Sequence, residues 1–184
     1  LRRPRVPEPY RSIQLDTTLR LYGNGKIPSS LLVKAHSGRS GYECLLYGPA
    51  AFWWNVMWSE AEKAGIELVA SSRGYRSYGA QETMFLERYS RVPTARVPRV
   101  TRKWKGHTYF LRRGKSPSAT PGFSPHGWGL AMDVSVPAKT FKWLCENGPR
   151  FGFYLQGPSI LPNGKKNPEF EAWHWQFCHL DPKA

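Results

Sequence analysis

Five histidines stand in this 184-residue chain, and two of them have surroundings that invite chemistry. His126 sits in Ser124-Pro125-His126-Gly127-Trp128-Gly129, where glycines let the backbone come close to a ligand or another strand. Asp133 follows seven residues later, among Ala131, Met132, Val134 and Val136. A carboxylate in that company is costly to bury unless it is paired or bound to a metal. His174 lies in Glu171-Ala172-Trp173-His174-Trp175, again among apolar residues. Two imidazoles and one carboxylate form a zinc ligand set that leaves a fourth position open for water. Zinc brings the pKa of such a water to about 7. Hydrolysis also needs a base to take the water's proton and pass it to the leaving group. Glu171 is the nearest candidate, but on a regular strand it would face away from His174, so a bend is required. Spacing alone leaves a second account open: a loop His126, a turn-bonded Asp133 and a hydrogen-bonded core His174.

The elements that must position these residues read as α+β, with a small, mostly antiparallel sheet flanked by helices. Residues 49–64 predict a helix, with Pro49 in its first turn and Gly65 past its end. IELVASS at 66–72 predicts a strand. Ser77 can cap a second helix running to about Ser90. Residues 103–114 alternate around Lys105-Gly106 and predict a β-hairpin. GLAMDVSV at 129–136 predicts a strand carrying Asp133, residues 138–149 a short helix, and EFEAWHWQF at 169–177 a final strand. Residues 23–32, 91–102 and 156–168 read as loops. The Arg/Pro-rich residues 1–22 read as a linker-like segment, lacking the apolar run of a signal peptide, and 23–184 as one domain.

Composition narrows the function classes. Hydrophobic residues make up 40%, including eight Trp, which excludes a disordered chain. No stretch approaches the roughly 20 apolar residues of a membrane span. The net charge of +14 points to a polyanionic setting, either nucleic acid or a bacterial wall with acidic polymers. No recognition-helix or zinc-finger spacing supports nucleic acid. Cys44, Cys145 and Cys178 are widely spaced and odd in number, so buried free thiols are expected rather than a disulfide framework. His107 reads as a solvated turn residue, and His36 and His179 have no ligand partners. Trp53, Trp54 and Trp58 read as core at helical spacing.

SPHGWGLAMD followed by EAWHW resembles the S-x-H-x2-G-x-A-x-D and E-x-W-H signatures of the VanY-type and LAS zinc peptidases. SRGYRSYGAQ looks like that family's S-G-Y-R-S-x3-Q block, with Arg73 as an extra residue. NGKIPSS and PRFGFYLQG resemble two further blocks, the first of them an actinobacterial and actinophage one, so the likeness touches most of residues 23–177. It implies an LAS/hedgehog-like zinc peptidase fold. It implies zinc on His126, Asp133 and His174, with Glu171 as general base and then acid. Arg76 would hold the oxyanion or a substrate carboxylate, Ser124 and Gln81 would touch substrate, and Trp173 would shape the site. The last motif would be a bent strand end. Ala172 stands where the family often has Pro, and Pro125 where it often has Asn.

The function so implied is hydrolysis of an amide bond in the peptidoglycan stem peptide. D,D- or L,D-carboxypeptidase and L-Ala-D-Glu endopeptidase all remain open. The chain is expected to be a monomer acting at the bacterial wall, as the catalytic domain of an actinophage lysin or a secreted bacterial enzyme, with anionic wall polymers as partners. The competing reading is a non-catalytic peptidoglycan-binding module of the same fold. The long basic stretch 86–123 is expected to form one wall of the cleft.

Overall fold

The computed structural model describes residues 7–94 and 100–179. The chain first forms an antiparallel pair, β1 (Leu32–Ala35) and β2 (Cys44–Tyr47), in the register Leu32 to Tyr47. β2 runs directly into α1 (Gly48–Lys63), with Pro49 in the first turn, where no N–H is missed. An extended segment leads to α2 (Tyr78–Arg88), which begins at Ser77, whose hydroxyl accepts from the Ala80 N–H at 3.2 Å. β3 (Tyr89–Ser90), β4 (Thr101–Trp104) and β5 (His107–Leu111) build a sheet in the order β3-β5-β4. The β4–β5 turn is Lys105-Gly106, both at positive φ (48° and 75°), as a tight hairpin turn requires. Then come β6 (Ala131–Asp133), α3 (Ala138–Asn147), β7 (Phe153–Leu155) and β8 (His174–Phe177), with antiparallel sheet order β6-β8-β7.

Two apolar clusters hold this together. The larger packs Trp54 and Met57 of α1 with Leu46, Met132, Phe153 and Trp175, all fully buried. The smaller joins Phe85 of α2 to Tyr89, Trp104, Tyr109 and Leu111 of the second sheet. Phe85 stacks on Tyr89 at 4.7 Å and meets Tyr109 edge-on at 5.2 Å.

The mixed architecture agrees with the expectation, but the strands are distributed over three small sheets rather than one. Residues 66–72 form no strand. Their pairing is confined to a bridge between Ala70 and Val134, because the other side of Ala70 is taken by the Ser37 carbonyl. The final strand begins at His174 instead of residue 169, after a turn closed by the His174 N–H to the Glu171 carbonyl at 3.1 Å. The pair β1–β2 and strand β7 were not anticipated. Of the linker-like segment, residues 1–6 lie outside the described residues, and residues after them make contacts with the rest of the fold. Tyr10 bridges Leu155, the Gln176 amide donates to the Arg11 carbonyl at 2.5 Å, and Leu19 is fully buried. Residues 95–99 of the basic loop and 180–184 of the expected domain lie outside the described residues.

Candidate metal centre and cleft

His126 lies in the 3-10 turn Pro125–Trp128. Its Nδ1 lies 2.7 Å from the Gly74 carbonyl, which fixes Nδ1 as the protonated nitrogen and frees Nε2 as an acceptor. That contact depends on two tight approaches. Gly74 has φ +76°, and a Cβ there would stand 2.5 Å from the Leu45 carbonyl oxygen. At Gly127 a Cβ would stand 2.1 Å from Oδ1 of Asn24. The Asn24 amide donates to the Ser124 carbonyl at 2.7 Å and so ties this turn down from the other side.

Asp133 closes β6, and its register partner is His174 at the first position of β8. The pairing puts both side chains on one face of the sheet. Oδ1 of Asp133 lies 3.2 Å from Nε2 of His126 and 3.1 Å from Nδ1 of His174. One ligand atom from each of the three residues falls within 4.8 Å of the others. His126 and His174 are buried, while Asp133 is partly open. Burial pushes the His126 imidazole below its ordinary pKa, against the pull of the Asp133 carboxylate. Burial alone would raise the Asp133 carboxyl, but the His126 and His174 imidazoles hold it well below the usual carboxylate range. A neutral imidazole and an ionised carboxylate are the forms that bind a metal. The donor set therefore fits a borderline divalent cation of the zinc kind. Nε2 of His174, away from the cluster, is buried and has no partner among the described residues.

Glu171 resolves the facing problem that a regular strand would pose. Because residues 171–173 turn before β8 begins, Glu171 and Asp133 line one cavity of about 160 Å³ with Arg76, Arg88 and Trp173. Burial raises the Glu171 carboxyl above its ordinary value, and the Asp133 charge adds to this. His174, Arg88 and Arg76 oppose it. Arg76 is held from two directions: its N–H donates to the His126 carbonyl at 3.0 Å, and Nη1 donates to Oε1 of Gln81 at 2.7 Å. Gln81 in turn donates to the Ala119 carbonyl at 2.7 Å. Two more cavities, about 240 and 200 Å³, continue from Glu171 past Phe123 and Gln156 towards Glu169 and Asn167.

Of the predicted site residues, His126, Asp133, His174, Glu171, Arg76 and Trp173 converge. Gln81 reaches the site through Arg76, and Ser124 is buried without lining these cavities. Arg73 points elsewhere, its guanidinium 5.8 Å over the Tyr42 ring. His107 meets Arg91 on the surface, and His36 stacks on Trp58 at 4.5 Å. A wall from segment 86–123 was expected, but Arg88 was not singled out, since its place depends on how the second sheet folds back. Residues 116–119 are that segment's contribution to the cleft. Arg88 donates to the Pro117 carbonyl at 3.0 Å, and Arg102 donates to the Ser118 carbonyl at 3.3 Å and to both carboxylate oxygens of Glu169.

Known proteins resemble this chain. YodJ of Bacillus subtilis (strain 168), whose assignment as a carboxypeptidase is itself provisional, is 32% identical over 134 residues, 66% of this chain and 42% of YodJ. A D-alanyl-D-alanine carboxypeptidase of Enterococcus faecalis (strain ATCC 700802 / V583) is 26% identical over 135 residues, 68% of this chain and 45% of that protein. The chain thus spans less than half the length of these two relatives. Among solved structures, the LdcB LD-carboxypeptidase superposes with a TM-score of 0.60 at 29% identity, covering 84% of this chain and 71% of LdcB. VanYB in complex with D-alanine-D-alanine superposes at 0.51 and 22% identity, covering 84% and 82%, a likeness of fold. Residues 46–180 match the family described as VanY, D-alanyl-D-alanine carboxypeptidase, and the chain belongs to that family.

Proposed function

We propose that this chain is a zinc-dependent carboxypeptidase acting on the stem peptide of bacterial peptidoglycan. The observation that carries the reading is the convergence of Nε2 of His126, Oδ1 of Asp133 and Nδ1 of His174 beside Glu171 and Arg76 in one cavity. LdcB, named as an LD-carboxypeptidase, and the VanYB complex with D-alanine-D-alanine support the substrate class. His126, Asp133 and His174 would hold the zinc, which supplies Lewis acidity and lowers the pKa of a water to about 7. Glu171 takes a proton from the attacking water as its oxygen adds to the scissile carbonyl carbon. It then delivers that proton to the amide nitrogen as the C–N bond breaks, leaving a carboxylate and an amine. Its raised pKa suits both halves of this cycle. Arg76, aimed by Gln81 and the His126 carbonyl, donates to the carbonyl oxygen as negative charge builds there. Trp173, 40% exposed at the cavity, shapes its entrance.

The domain in this reading includes the docked residues from about 8 onward. Among the described residues, no helix is long and apolar enough to cross a membrane. Segment 86–123 carries ten Lys or Arg against one Glu, nine of the fourteen net positive charges, and its residues 116–119 wall the cleft. That asymmetry supports anionic wall polymers as a second partner. The test is mass spectrometry of purified muropeptides incubated with the protein and zinc. Release of a single C-terminal residue is expected. Intact muropeptides would refute the enzyme reading, and a cut between the first and second residues would replace it with the endopeptidase.

A further inference from the structure

The cavity beside the metal triad contains a second guanidinium that the scheme above does not use. Arg88 is the last residue of α2, and its Nη1 is pinned to the Pro117 carbonyl at 3.0 Å. This single bond leaves the rest of its planar fork of donors free to face the cavity it lines with Met84, Ser116, Asp133 and Glu171. Arg76 is aimed by Gln81 and already serves the developing oxyanion in the scheme above, and Asp133 contacts the two imidazoles. The charge on Arg88 is felt at both functional neighbours, favouring ionised Glu171 and disfavouring the charge on Arg76. Asp133 and Glu171 line the same cavity, but with a divalent cation on the triad the two guanidinium groups and the metal would together outweigh these carboxylates, which favours a further anion.

The size of the cavity limits what that anion belongs to. At about 160 Å³ it is close to the roughly 150 Å³ that admits a benzene-sized molecule of about six heavy atoms. Alanine has that many heavy atoms, one end of which is a carboxylate. The wall behind it is firm. Pro117, Ser118 and Ala119 are held by hydrogen bonds from Arg88, Tyr89, Arg102 and Gln81, so this side of the cavity is fixed.

We infer that Arg88 is the specificity-determining residue that grips the free C-terminal carboxylate of the residue being released, leaving Arg76 to serve the developing oxyanion. This rests on the peptidase reading and explains why the site would remove a single small C-terminal residue. A bidentate guanidinium–carboxylate pair is charge-assisted and among the stronger hydrogen-bonded contacts.

The test uses the zinc-loaded chain with synthetic stem pentapeptides and tetrapeptides, each as the C-terminal acid and the C-terminal amide. The wild type is expected to prefer acid over amide at least tenfold in kcat/KM. Arg88→Ala should lose ten- to hundredfold on the acid, mostly through KM, with little change on the amide. Arg88→Lys should recover part of the acid preference. D-alanine should inhibit the wild type more tightly than D-alaninamide, and Arg88→Ala should remove that difference while binding one zinc per chain. Equal cleavage of acid and amide by the wild type, or equal losses on both in Arg88→Ala and Arg88→Lys, would overturn the role of Arg88 alone. Cleavage of neither by the wild type overturns the peptidase reading and this inference together.

Discussion

Gly127→Ala isolates how the proposed metal ligand His126 is held. A Cβ at Gly127 would overlap the Asn24 side chain, 2.1 Å from Oδ1, 2.6 Å from Cγ and 2.8 Å from Nδ2. Asn24 cannot swing away cheaply. It is 7% exposed, and its amide donates to the Ser124 carbonyl at 2.7 Å. Overpacking costs about 1–3 kcal/mol, and a buried carbonyl stripped of its donor about 1–3 more. Gly127→Ala should therefore destabilise the fold by about 2–6 kcal/mol, the sum of those ranges. The strain also acts on the turn that carries His126, so zinc should stabilise the variant less than it stabilises the wild type. Asn24→Ala alone removes the hydrogen bond but also all three clashing atoms, at about 1–3 kcal/mol. In that background Gly127→Ala should be nearly free. Urea unfolding of the four proteins closes the cycle, with an expected coupling of at least about 1 kcal/mol, beyond the about 0.3–0.5 kcal/mol scatter of independent sites. Additive effects would refute the steric account of Gly127.

Glu171→Gln should lower kcat by about 10²–10⁴ while zinc content stays at one per chain, checked by elemental analysis beside the kinetic assay. The acid limb of kcat/KM should fall above the usual glutamate range, because Glu171 must be ionised to act and burial raises its pKa. In the metal-free protein, His126 is lowered and Asp133 is lowered, so the unfolded chain binds more protons than the fold. Stability should then fall with acid in two stages, first below the ordinary histidine value of about 6.5 and again below the ordinary aspartate value of about 3.9. Asp133→Asn should flatten the second stage in pH-dependent urea titrations. Phe85→Ala, at the centre of the smaller cluster, should cost about 3–5 kcal/mol and expose residues 101–111 to protease.

Much of the site was legible because it is written in contiguous blocks. Pro125 through Asp133 and Glu171 through His174 each carry their ligands with the glycines and turns that place them. The helices were legible from caps and punctuation, as Ser77 and Gly65 show. What stayed hidden was long-range. Strand β1 pairs with β2 across an intervening turn that breaks the alternation, and β7 is three residues long, too short for periodicity to register. Arg88 is one of ten Lys or Arg in its segment, and only the fold-back of residues 116–119 gives it a cavity to face. The turn at 171–173 lies inside a run that alternates like a strand, so its pattern gave the wrong element while the resemblance gave the right bend.

The three cysteines have a consequence for where such a protein can be made and used. Each is buried, and burial pushes the Cys145 and Cys178 thiols up to about 12 and raises Cys44 as well. They remain protonated at neutral pH, and a thiol that does not ionise neither attacks disulfides nor is readily oxidised. The fold draws its stability from aromatic packing and asks for no oxidant. It is therefore indifferent to the redox step between a reducing cell interior and an oxidising exterior, and a chain of this design can reach its folded state on either side.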